Sequence, residues 1–101
     1  MAKKKQARAD SIMQTVEECY VCRRTTGLEP HHCTHGTANR AVADRLGLWV
    51  WLCPTCHRGT KGVHGRDGHD LDLYLKQRAE QAYLETHTLD EWMEEIGKNF
   101  L

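Results

Sequence analysis

The chain has 101 residues, 40% of them hydrophobic and 28% charged, with equal numbers of Lys+Arg and Asp+Glu. That is one domain's worth of chain, whose small core would gain from a staple, and no run approaches the ~18 apolar residues of a membrane-spanning helix. The basic start, MAKKKQARAD, has no apolar stretch behind it, so no secretory signal and no membrane partner are expected, and a cytoplasmic location is.

The zero net charge hides an asymmetry. Through Arg66 there are eleven Lys/Arg against five Asp/Glu; from Asp67 onward there are three against nine. The basic half also holds the cysteines and most of the histidines, which suits a partner with a phosphate backbone.

In chain order, residues 1–15 carry the lysine run with little apolar periodicity and read as a flexible or weakly helical basic arm, followed by a single domain over residues 16–101. The pair Cys19/Cys22 (CYVC) is too tight for regular structure and reads as a metal knuckle. Gly27 marks a turn, and Leu28 to Cys33 suits a short strand that Pro30 confines to an edge. Next, THGTANRAVADRLG reads as a loop and a short helix, with Ala41, Val42 and Leu46 on one side. Thr37 or Asn39 is placed to cap its start, and Gly47 closes it. LWVWL, rich in aromatic and β-branched residues, predicts a buried strand running into a second knuckle, Cys53/Cys56 (CPTC).

The segment after His57, with Gly59, Gly62, Gly65 and Gly68, reads as loop. Leu71, Tyr74, Leu75, Ala79, Ala82 and Tyr83 recur at helical spacing and predict a helix over about 70–86. A capping box, Thr88 to Glu91, opens a second helix over 89–96 bearing Leu89, Trp92, Met93 and Ile96, with Gly97 at its end.

Two C-x2-C pairs separated by thirty residues match a tetrahedral zinc site made by Cys19, Cys22, Cys53 and Cys56. An odd cysteine count without an export signal argues against a disulfide framework. A thioredoxin-like redox pair needs one such motif in a βαβ setting, not two. Cys33 is left over and reads as a packed thiol. If the knuckles meet, His31 and His32, which follow the first, come close to His57, which follows the second, and to His64. Neutral imidazoles bind divalent metals, and an unliganded one is a general base near neutral pH. Phosphodiester hydrolysis uses both.

The string EPHHC…ANR…LWVWLCPTCHRGTKGVH resembles the HNH endonucleases, the ββα-metal finger of the His-Me superfamily. More closely, it is similar to small HNH proteins encoded in prophages of Gram-positive bacteria, over about residues 17–75 and again in the tail ending IGKNFL. The resemblance implies a small α+β, zinc-stapled treble-clef or ββα-metal fold with C-terminal helices, and metal-dependent cleavage of DNA. It implies His32 as the general base and Asn39 as the nearest counterpart of the family's middle asparagine. His31, His57 and His64 would hold one catalytic divalent metal such as Mg2+, Mn2+ or Ni2+, while the four cysteines hold structural Zn2+. Arg40, Arg58, Lys61 and His35 are the candidates for contacting DNA; His69 and His87 flank helices as caps or surface groups. Self-association and phage packaging or recombination proteins are the further partners implied.

Three departures from the family pattern shape these expectations. The asparagine's usual place, nine residues before the downstream histidine, is Leu48. The place four residues after it is Lys61, with His64 seven residues on. His31 and His32, adjacent on a strand, point to opposite faces unless the strand ends or bulges there. The rival from another class is a zinc-fold DNA- or protein-binding module without catalysis.

Overall fold

A computed structural model describes residues 8–35 and 37–101, the side chains at positions 37 and 38 excepted. It is a small α+β structure of one two-stranded antiparallel sheet and four helices. Strand β1 (Glu29–His32) pairs with β2 (Trp49–Leu52) in the register Glu29↔Leu52, Pro30↔Trp51, His31↔Val50 and His32↔Trp49. Helix α1 (Thr37–Leu46) connects the strands, and α2 (Pro54–Arg58) follows β2 directly. The long α3 (His69–Leu84) and the short α4 (Leu89–Ile96) complete the chain. No helix among the described residues is long and apolar enough to cross a membrane.

Several element ends are set by local residue chemistry. Helix α1 ends at Gly47, whose φ of 77° lies in the left-handed region that favours glycine. Asn39, expected as a possible cap, sits inside the first turn instead; the cap position itself, residue 36, lies outside the described residues. The expected capping box on α4 forms in full: Glu91 N donates to Thr88 Oγ1 at 3.1 Å, and Thr88 N donates to Glu91 Oε1 at 2.8 Å. Helix α2 begins inside the second knuckle with Pro54 in its first turn, where the missing N–H costs nothing.

The core lies between the sheet and the C-terminal helices. Leu48, Val50 and Leu52 meet Leu75, Ala79 and Tyr83 of α3 and Trp92 and Ile96 of α4. The periodicity of α3 and α4 is thus real, but the buried stripe is narrower than the apolar residues alone suggest. Tyr74, Leu89 and Met93 remain exposed, and a glutamate, Glu80, is fully buried. Glu80 Oε1 accepts from Phe100 N at 2.7 Å while Gln77 Nε2 donates to Phe100 O at 2.9 Å, so α3 grips the backbone of the C-terminal tail from both sides.

The predicted basic arm divides. Residues 1–7 lie outside the described residues. Residues 8–15, rather than hanging free, run along the outer edge of β2: Ser11 Oγ donates to Trp49 O at 2.6 Å, and Trp51 N donates to Gln14 Oε1 at 2.8 Å. Tyr20 N completes the edge by donating to Trp51 O at 2.8 Å. A bare strand edge would leave these groups unpaired, and side chains here do the work of a third strand.

Trp92 is fully buried, whereas its neighbour Met93 is 38% exposed. Trp92→Ala is expected to lower unfolding free energy by about 3–5 kcal/mol, and Met93→Ala by no more than about 0.5 kcal/mol. Urea denaturation of the two variants against wild type measures both.

Candidate metal centres and the histidine cleft

The first knuckle is built by backbone hydrogen bonds: Cys19 N donates to Arg24 O at 2.8 Å and Arg23 N to Cys19 O at 2.9 Å. Arg23 takes a φ of 70°, which turns the chain sharply just after the two cysteines. At the second, His57 N donates to Cys53 O at 2.9 Å and starts α2. The Sγ atoms of Cys19, Cys22, Cys53 and Cys56 all lie within 4.8 Å of one another. Cys22 Sγ and Cys53 Sγ are 3.6 Å apart, far too long for a disulfide and close to the ~3.8 Å edge of a tetrahedron with ~2.3 Å metal–sulfur bonds.

The donor set therefore fits a structural metal such as zinc. Burial opposes the Cys19 thiolate, but the N–H groups of Cys22, Cys53 and Val21 outweigh it and bring the pKa down to about 6. The Cys56 N–H likewise lowers Cys53. Cys33 is fully buried, its thiol pushed up by burial, and it stands apart from the four as expected.

A second cluster assembles beside the first. One ring nitrogen each from His31, His57 and His64 lies within 4.8 Å of the others, with ring centroids 5.3 Å apart for His31–His57, 5.2 Å for His31–His64 and 4.9 Å for His57–His64. His31 comes from β1 and His57 from α2. His64 is delivered by the loop, which folds back on α2 through hydrogen bonds spanning seven residues: Val63 N to Cys56 O, His64 N to His57 O and Asp67 N to Thr60 O, at 3.0, 3.0 and 2.8 Å. Backbone passes so close that a Cβ on Gly65 would collide with the carbonyls of Gly59 and Thr60. That return path brings His64, seven residues after His57, to the same cluster.

His31 is 2% exposed, and its Nε2 is buried with no hydrogen-bond partner. Burial first, then the neighbouring imidazoles of His57 and His64, push its pKa down to about 3; burial also lowers His64. Both rings are therefore neutral near pH 7, the form that binds a metal ion. His57 Nδ1 pairs with Glu29 Oε1 at 2.7 Å, and Arg58 Nη2 donates to Glu29 Oε2 at 2.7 Å. The hydrogen bond from His57 holds Glu29 below the usual carboxylate range. A carboxylate on one ring nitrogen fixes the tautomer and turns the other toward the cluster. The three imidazoles thus fit a borderline divalent ion.

His32 stands outside this trio. The β1–β2 register runs unbroken through His32, so no bulge forms and the adjacent rings diverge. His32 Nε2 reaches Asp44 Oδ1 of α1 at 2.7 Å. The strand ends there, however, and His31, His32, His35, Arg40, His57 and His64 all line one open cleft of about 240 Å³. His35 Nε2 is 2.8 Å from Asp72 Oδ1 of α3.

The remaining predicted site residues lie elsewhere. Asn39 is on the first turn of α1, its carbonyl accepting from Thr34 Oγ1 at 3.5 Å, and it does not border the cleft. Arg58 is engaged by Glu29, and Lys61 is exposed on the loop; neither lines the cleft. Leu48 is in the core. The sequence reading missed Glu29, Asp44 and Asp72, the carboxylates that orient three histidines. Only Glu29, two residues before His31 on the same strand, carried a local signal.

Comparisons of the chain with protein-family models, with curated proteins and with solved structures find no match.

Co2+ reconstitution of the metal-free protein is expected to give thiolate-to-metal charge-transfer absorption at one ion per four-cysteine site. Cys53→Ser should weaken or abolish it, and Cys33→Ala should leave it unchanged. Stripping the metal is expected to remove on the order of 10 kcal/mol of binding-linked folding free energy, seen as loss of the cooperative thermal transition by circular dichroism.

Proposed function

We propose that the protein is a metal-dependent HNH-type endonuclease that hydrolyses DNA phosphodiester bonds on a zinc-stapled ββα-metal scaffold. The observation that carries the reading is His31: a buried imidazole, unpartnered at Nε2, grouped with His57 and His64 in a cleft that His32 also borders. An orphaned buried nitrogen is costly unless something binds it. A divalent ion satisfies it and explains why three imidazoles converge.

The chemistry then divides among the residues. His31, His57 and His64 hold the divalent ion, which when bound neutralises charge on the scissile phosphate and the departing oxygen. The α1 contact at His32 Nε2 leaves Nδ1 for a water: the ring takes the water's proton as its oxygen attacks phosphorus and the bond to the 3′ oxygen breaks. Arg40, exposed on the cleft wall, pairs with a non-bridging oxygen. Zinc in the four-cysteine site fixes β2 and α2 against the chain before β1, which sets the separation of the two histidine-bearing segments.

One observation favours a second reading, a nucleic-acid-binding module without catalysis: Asn39 stands away from the cleft. Supercoiled plasmid separates the two. The endonuclease is expected to nick it with Mn2+ or Ni2+ and not with EDTA, and to lose at least about 100-fold in rate in His32→Ala and in His31→Ala. A metal-independent gel shift by the wild type with no nicking in any of these metals establishes the binder instead.

A further inference from the structure

Within the endonuclease reading, on which this inference rests, we propose that Asp44 is the positioning residue of the general base: it decides which nitrogen of His32 carries hydrogen and which faces the cleft. A carboxylate only accepts, so the 2.7 Å contact between His32 Nε2 and Asp44 Oδ1 requires the hydrogen on Nε2. Nδ1 then presents its lone pair as the acceptor for a water's proton. Without such a partner, the neutral ring exchanges between two tautomers, and one of them has its Nδ1 lone pair blocked by hydrogen.

Asp44 is itself held from two directions. Arg8 Nε donates to the same Oδ1 at 3.3 Å, and Ala9 N donates to the Asp44 backbone carbonyl at 2.9 Å. Both bonds come from the N-terminal segment, so this stretch, besides lining β2, also steadies the carboxylate. Arg40 stands one helical turn before Asp44 on α1 and borders the cleft. One face of α1 therefore supplies the phosphate contact and the orienting group together. Leu48 is buried in the core and Asn39 does not border the cleft, so among the described residues Asp44 is the side chain between the strands that reaches His32.

A fold-stabilising tie between β1 and α1 would leave the same contact, so the test must read the ring. In the zinc-loaded full chain, long-range 1H–15N spectra at a pH where the imidazoles are neutral record the His32 tautomer, assigned by comparison with His32→Gln. Wild type and Asp44→Glu are expected to show hydrogen on Nε2; Asp44→Ala, which keeps a good helix former at a half-buried position, is expected to show a mixture. Alongside this, kcat for nicking is expected to fall on the order of 10- to 100-fold in Asp44→Ala with KM unchanged, and to recover in part in Asp44→Glu. An unchanged tautomer in Asp44→Ala overturns the proposal whether or not the wild type cuts DNA. A lost tautomer preference with unchanged kcat overturns it as well. A wild type that cuts with none of the metals tried overturns the endonuclease reading separately, while the spectrum still reports whether Asp44 sets the ring.

Discussion

Cys22 and Cys53 are thirty-one positions apart in the chain, yet their sulfurs lie 3.6 Å from each other. Four thiols at such distances repel once ionised and remain soft, unsatisfied donors if they are not, so a shared cation is what makes the arrangement favourable. The sheet alone has two strands of four residues each, well short of what stands independently in water. The convergence of the sulfurs therefore sets where β2 and α2 lie relative to β1, and with them every imidazole in the cleft.

The cleft histidines fall into two kinds. His31 and His64 are held by packing and by the loop. His57, His32 and His35 each touch a carboxylate, from β1, α1 and α3 respectively. Ring orientation is thus distributed over three elements that reach the cleft from different directions. Asp72 shows how the pairs extend outward: burial works against its charge, but the hydrogen bonds from Lys76 and His35 prevail and lower its pKa. This pair ties the first turn of α3 to the cleft.

Much of this was legible in the sequence because the signals were local or paired. The doubled cysteine motif, the Thr88–Glu91 box, Gly47 after α1 and the aromatic strand each state their structure within a few residues, and the four ligands of the sulfur cluster stand where spacing puts them. What sequence did not disclose is what arrives from a distance. Glu80 interrupts an apolar stripe because its partner is the backbone at Phe100, twenty positions on. Asp44 and Asp72 look like ordinary solvated helix charges until the fold sets them against His32 and His35. Residues 8–15 have no periodicity because their role is to satisfy the free edge of β2 with side chains, a task that leaves no repeating pattern.

The seven-residue hydrogen bonds between α2 and the glycine loop carry one more consequence. The side chains of Thr60, Lys61 and Arg66 do not set the path of the backbone, whereas Arg58 is tied to Glu29 and the glycines at 62, 65 and 68 leave no room for a Cβ. The number of positions between His57 and His64 cannot vary: inserting or deleting a single one would rotate the imidazole away and bring a neighbour's side chain into its place. Related chains would therefore be recognised here by conserved length together with these glycines.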